Sequence, residues 1–231
     1  KAVLGLTAPE EGSVVRLDGK ALAATLAKRD RADVGAMQIV FQNPDQALNR
    51  RHSVTRIVAR AVQRLGGVAQ DAAERRAHEL LSGMRVDETL HSVRPVQLSG
   101  GLKQRVAIAR SFAGNPQVVV CDEPTSAIDV SVQANILNLL ADLQARENVS
   151  YIFISHDLGV VRYLSDRIAV MYLGRIMEIG SATDVFDGPH HPYTEALVSS
   201  IPDVDGGTRV RVRLGGEVPS PANPPSGCVL H

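Results

Sequence analysis

The run Gln117-Val118-Val119-Val120-Cys121-Asp122-Glu123 decides the fold class. Its short, continuous apolar stretch, closed by two carboxylates, is what a strand buried on both faces requires, as in the centre of a parallel sheet. Downstream, Val132, Ile136, Leu139, Leu140 and Leu143 recur at helical spacing between Ser131 and Arg146, with Asp129 or Ser131 available as N-cap. Tyr151 to Ser155 is again β-branched and aromatic. Residues 117–155 therefore read as strand, helix, strand, a crossover that favours parallel pairing. Ligands of such sheets gather at the carboxyl ends of strands, which here carry Asp122-Glu123 and Ser155-His156.

Upstream, residues 13–17 and 34–42 are apolar-rich runs beside the turn signals Asp18-Gly19 and Asn43-Pro44, and are expected to be strands. Residues 54–114 lack strand alternation and are rich in Ala, Arg, Leu and Glu, which predicts a mostly helical insertion. Within it a helix is expected from Ser99-Gly100-Gly101 to Ala113, stopping at Gly114-Asn115-Pro116. A strand pair turned at Gly174 covers 167–173 and 175–179. Beyond it regular signals fade, and Pro219, Pro221, Pro224 and Pro225 mark a loop-like tail.

Composition narrows the function classes. The 231 residues, 44% of them hydrophobic, suffice for a buried core, and 25 basic residues balance 25 acidic ones, so no broad nucleic-acid surface is expected. No apolar stretch approaches the ~18 residues that cross a bilayer, and no signal peptide is visible, so membrane contact is expected through a partner. Cys121 and Cys228 are the only cysteines, and Cys121 lies in an apolar run, which argues against a disulfide framework.

The chemistry concentrates in a few strings. Asp122 suits Mg²⁺, which takes oxygen ligands and usually one or two carboxylates plus substrate phosphates; Glu123 suits deprotonating or orienting a water. In isolation such a pair is equally a cap at a strand-to-loop junction. Ser99-Gly100-Gly101 offers backbone N–H groups and the positive end of a helix without side chains to block an anion, though alone it is more simply a capped helix start. His156 at a strand end can donate to a phosphate oxygen. The other histidines, including the adjacent His190-His191 pair, read as structural.

Taken in order, Phe41-Gln42-Asn43-Pro44, Leu98-Ser99-Gly100-Gly101 with Gln104-Arg105, Asp122-Glu123-Pro124-Thr125-Ser126-Ala127-Ile128-Asp129 and His156-Asp157 resemble the Q-loop, signature, Walker B, D-loop and H-loop of the ATP-binding-cassette ATPase family. The resemblance covers nearly the whole chain. It implies an α/β P-loop NTPase fold, RecA-like, with a parallel-sheet core in 1–43 and 115–180, an inserted helical signature subdomain in 44–114, and a tail in 181–231. It assigns catalysis to Glu123, His156 and Gln42, metal binding to Asp122 and Gln42, and D-loop roles to Ser126 and Asp129. Ser99, Gly100 and Gly101 would meet the nucleotide of a second cassette, so ATP and Mg²⁺ would lie at the interface of a homo- or heterodimer. Leu102 stands where many signatures continue with Gln, and Ile128 where the D-loop usually has Leu.

No Gly-x-x-x-x-Gly-Lys-Ser/Thr string occurs. Lys1 to Gly12 resembles the end of the helix that follows that loop in the family, so the core is expected to be N-terminally incomplete and the chain as written nearly inactive alone. Residues 190–202 and 216–228 resemble the C-terminal region of the dipeptide, oligopeptide and nickel importer branch. One cysteine, Cys228, in that region cannot complete an iron-sulfur cluster. The expected function is thus an ATP-hydrolysing subunit at the cytoplasmic face of the cell membrane. Its partners would be integral membrane permeases and, indirectly, an extracytoplasmic substrate-binding protein, with no nucleic acid. A non-catalytic partner cassette and a soluble, non-transport ATPase are the competing readings; neither heptads nor a duplicated cassette supports the latter.

Overall fold

The computed structural model describes residues 1–126, 128–201, 212, 215, 219–220 and 225–230. The chain forms two compact units, Lys1–Ile154 and Ser155–His231.

The first unit is built on a parallel sheet of β3 (Met37–Val40), β4 (Val118–Asp122) and β5 (Ser150–Ile154), with β4 in the centre. Val40 faces Cys121, and Cys121 faces Phe153. Side chains alternate across this register. Val40, Val119, Cys121, Tyr151 and Phe153 point to the main core, whereas Met37, Ile39, Val118 and Val120 join Leu4 and Leu22 on the other face. The crossover helix α5 (Val130–Glu147) buries Ile136, Leu139, Leu140 and Leu143, the apolar stripe legible in the sequence. A small antiparallel pair, β1 (Arg16–Leu17) and β2 (Lys20–Ala21), turns at Asp18 and Gly19, both at positive φ.

The strand expected over 34–42 is shorter than the sequence suggests. Asp30 accepts a hydrogen bond from the Asp33 amide (2.7 Å) and starts α1 (Arg31–Ala36), which runs directly into β3. A local cap thus overrides the apolar character of Val34 and Ala36. Of the run 13–17, only Arg16–Leu17 pairs.

Three helices fill the insertion: α2 (Val54–Gly66), α3 (Gln70–Gly83) and α4 (Gly100–Ser111). Ser53 caps the first, and Gly67, left-handed at φ 66°, ends it by donating to the Gln63 carbonyl. Val54, Ile57, Val58 and Val62 of α2 and Leu80 and Leu81 of α3 are buried, each burial contributing about 1.5–3 kcal/mol before entropy is deducted. After α4 a short 3₁₀ turn, Phe112–Gly114, leads to Asn115 in the left-handed region, the stop expected at Gly114-Asn115-Pro116.

At the start of the chain, the Gly5 amide donates to Ala2 O (2.9 Å) and the Leu6 amide to Lys1 O (3.1 Å), the paired bonds that terminate a helix around a left-handed glycine. Gly5 has no substitute: at φ +71° an added Cβ would lie 2.7 Å from the Leu26 nitrogen.

The second unit contains α6 (Leu158–Leu164), the antiparallel β6 (Arg167–Tyr172) and β7 (Arg175–Ser181), α7 (Ala182–Asp187) and α8 (Pro192–Ser199). Leu173 and Gly174, at φ 47° and 78°, make the turn. Its core joins Ile168, Val170, Val185, Phe186 and Val198. Residues 182–199, where regular sequence signals fade, are therefore largely helical. Each helix buries only a pair of residues and relies on a cap, Ser181 for α7 and His191 for α8, so neither carries an apolar stripe long enough to read. Most of the proline-rich segment 216–228 lies outside the described residues. No helix among the described residues is long and apolar enough to cross a membrane.

Candidate functional site

The carboxyl edge of the sheet gathers residues that are far apart in the chain. β4 ends at Asp122, and the next amide, Glu123, still donates to Ile154 O (3.0 Å), so Glu123 is held by the sheet although it lies beyond the strand. Its backbone then turns to φ 45°, uncommon for a long side chain and of order 1–3 kcal/mol in cost. Gln42, two residues past β3, places its amide Nε2 3.0 Å from Glu123 Oε2 and 3.1 Å from Ser126 Oγ. These contacts span 81 and 84 residues of sequence. Ser126 Oγ in turn donates to the Glu123 carbonyl (3.1 Å), closing the turn.

The donor set suits a hard cation. With Nε2 of Gln42 committed to Glu123 and Ser126, its amide oxygen is an acceptor, and Asp122 adds a carboxylate from the end of β4. Oxygen ligands of this kind match Mg²⁺, whose other positions are normally taken by water and substrate phosphates. Among the described residues no cluster of three or more His, Cys, Asp or Glu forms a protein-only metal cage.

Ser99 is the N-cap of α4, its hydroxyl accepting from the Leu102 amide (3.4 Å), and Gly100 and Gly101 are the first helical residues. The two glycines differ. A Cβ on Gly101 would stand 2.5 Å from Val132 Cγ1 of α5, whereas one on Gly100 would meet only Ile128 Cγ2, at 3.8 Å. Leu102, Ile128 and Val132 all pack against the main core, so both departures from the family pattern are apolar packing positions. Asp129 occupies the N-cap position of α5 with its carbonyl accepting from Val132 N (2.9 Å) and Gln133 N (2.8 Å), but its carboxylate forms no cap bond.

His156 belongs to the second unit and is exposed. Beside it Asp157 caps α6, accepting from Gly159 N (2.9 Å) and Val160 N (3.2 Å). His191 Nδ1 accepts from the Tyr193 amide (3.2 Å), a structural role. Cys121 is fully buried, and burial pushes its thiol up to about 12, which leaves it inert as a nucleophile.

One group of contacts was not legible in advance. Asp45 lies 3.2 Å from Lys103 of α4, with Arg50 3.3 Å away on its other side. Gln104, which carries no distinct signal of its own in the sequence, is 1% exposed and reaches the Phe41 carbonyl at 3.5 Å.

The family model described as "ABC transporter" matches residues 1–126, a span that contains Gln42, Ser99-Gly100-Gly101, Asp122, Glu123 and Ser126. The chain belongs to the ABC transporter family. A second model, "Oligopeptide/dipeptide transporter, C-terminal region", matches residues 177–231 of this ABC chain. The oligopeptide transport ATP-binding protein AppF of Bacillus subtilis is 39% identical over the full chain, which covers 71% of that protein. A putative peptide import ATP-binding protein of Brucella ovis is 42% identical, with full coverage of this chain and 73% of the relative. The dipeptide transport ATP-binding protein DppF of Escherichia coli is 43% identical over 84% of this chain and 59% of its own length. Among solved structures, the dimeric post-hydrolysis state of the ATP-binding cassette MJ0796 bound to ADP and Pi superposes with a TM-score of 0.65 at 28% identity, covering 78% of this chain and 77% of that one. CbiO1 of Clostridium perfringens, part of the ABC transporter complex cbiONQ, superposes at 0.67 and 27% identity, covering 84% of this chain and 76% of its own.

Proposed function

We propose that this chain is the ATP-hydrolysing subunit that powers a membrane importer of di- or oligopeptides. The hydrogen bond from Gln42 Nε2 to Glu123 Oε2 carries the catalytic part of the reading, because it joins a candidate water-orienting amide to a candidate base at the end of a rigid parallel strand. The kinship with AppF and DppF, and the match over 177–231, carry the peptide part.

In this scheme Glu123 takes the proton of the attacking water, and Gln42 orients the carboxylate and the water through its amide. Ser126 holds the turn that presents Glu123. Asp122 and the Gln42 amide oxygen would hold Mg²⁺, which when bound supplies charge neutralisation on the phosphates. Ser99, Gly100 and Gly101 present the α4 N-terminus to the γ-phosphate held by a second cassette, and Asp129 faces that partner from the start of α5. His156 donates to the γ-phosphate. The dimer works beneath permease subunits at the cytoplasmic face of the membrane, with a substrate-binding protein acting from the other side.

The test is Glu123→Gln in the full-length subunit assembled with its permease. ATP-Mg²⁺ binding persists and hydrolysis falls at least about 100-fold. Turnover at the wild-type rate, with the partner cassette's equivalent carboxylate also replaced, removes Glu123 from this role.

A further inference from the structure

We propose that Asp45 is a positioning residue that ties the signature end of α4 to the loop leaving Gln42, so that the placement of Ser99-Gly100-Gly101 follows the state of the catalytic edge. The proposal rests on the ATPase reading above.

The loop and the helix are joined on both sides of Gln42. Behind it, the Phe41 carbonyl accepts from Gln104 Nε2 of α4 at 3.5 Å. Ahead of it, Asn43 Oδ1 accepts from the Asp45 amide (2.9 Å) and winds Pro44–Gln46 into a single 3₁₀ turn. That turn aims the Asp45 carboxylate at α4, where Oδ1 lies 3.2 Å and Oδ2 3.4 Å from Lys103 Nζ. Arg50 Nη2 contacts Oδ2 at 3.3 Å from the same loop, so the carboxylate is held by one cation of the loop and one of the helix.

The Asp45–Lys103 pair differs from the surface pairs of this unit. Its side chains are 26% and 21% exposed, against 63% and 57% for Arg85–Asp142. A partly buried pair is screened less by salt and holds a narrower geometry. Lys103 stands two positions after Gly101 on the same helix, and a helix transmits displacement along its axis as a rigid element, 1.5 Å per residue. Gln42, three positions before Asp45, is bonded to Glu123 and Ser126. A shift of Gln42 toward a bound cation or water thus pulls on Asp45, and through Lys103 on the N–H groups that face the other cassette's nucleotide.

The experiment is steady-state ATP hydrolysis by the full-length subunit with its permease, comparing Asp45→Asn, Lys103→Met, the double variant, Lys103→Arg and Glu123→Gln. Arg76→Ala, which breaks the exposed Arg76–Glu79 pair of the helical insertion, is the control for generic loss of an ion pair. Asp45→Asn and Lys103→Met each lower kcat/KM for ATP at least about tenfold, since a misplacement near 1 Å remote from the chemistry costs that much or more. The double variant is no worse than either single one, because both remove the same link. Lys103→Arg stays within about threefold of wild type, since it keeps the charge. Thermal unfolding midpoints of the variants match that of Arg76→Ala, a result that a merely structural role for the pair would not produce. Asp45→Asn and Lys103→Met within twofold of wild type, or losses that simply multiply in the double variant, overturn the link while a dead Glu123→Gln leaves the ATPase reading intact. Hydrolysis surviving in Glu123→Gln would instead overturn the reading on which the link depends.

Discussion

Gly101 has no room for a methyl group, and Gly100 does. An added Cβ at 101 overlaps Val132 Cγ1 at 2.5 Å, so Gly101→Ala is expected to destabilise the fold by about 1–3 kcal/mol, read as a lower thermal midpoint, and Val132→Ala in the same chain recovers more than half of the loss. Gly100→Ala keeps the midpoint, since its nearest neighbour would be 3.8 Å away, and any fall in ATP hydrolysis there reports the anion role alone. In the sequence both glycines suit phosphate approach, and nothing in the string Ser-Gly-Gly distinguishes them; the difference comes from α5 crossing at Val132. Cys121 makes a second residue-scale case. Burial pushes its thiol up to about 12, so in the folded protein an alkylating reagent at mildly alkaline pH modifies exposed Cys228 and spares Cys121, which reacts only after unfolding. Rapid labelling of both thiols in the native state contradicts the buried position.

At the scale of elements, those that read well carry their own signal. β4 is an apolar run with a sharp end, and α5 has an apolar stripe. The helical insertion follows from the propensity of Ala, Arg, Leu and Glu together with good caps, and its stability comes from the contacts among α2, α3 and α4. Leu81 of α3 is fully buried in that cluster. Leu81→Ala is expected to cost about 2–5 kcal/mol, seen as a lower urea midpoint at constant m-value, because the surrounding helices close the cavity only in part. A loss below about 0.5 kcal/mol counts against this packing. The elements that were misread are short. α1 depends on one Asp30 cap and replaces the start of the expected strand, and α7 and α8 bury too few residues for a period to show.

For the whole molecule, the functional prediction concerns association. If Ser99-Gly100-Gly101 completes the other cassette's site, full-length Glu123→Gln subunit with ATP-Mg²⁺ elutes as a dimer and without nucleotide as a monomer, while adding Ser99→Arg abolishes the nucleotide-dependent dimer by placing bulk at the α4 N-terminus. Persistence of that dimer with Ser99→Arg argues against the role across the interface. The sequence by itself determined the class of fold and the candidate chemistry, because the deciding signals are contiguous: a buried strand ended by Asp122-Glu123, a helix opened by Ser99-Gly100-Gly101, and Gln42 after an apolar run. Only the tertiary structure decided which of these groups touch. Gln42 reaches Glu123 because the parallel register sets Val40 beside Cys121, and Asp45 reaches Lys103 because α4 packs beneath the same loop. Neither contact has a local cause. Each depends on the helices and strands between the partners filling one core, and that packing is a property of the whole unit that no short string of residues expresses.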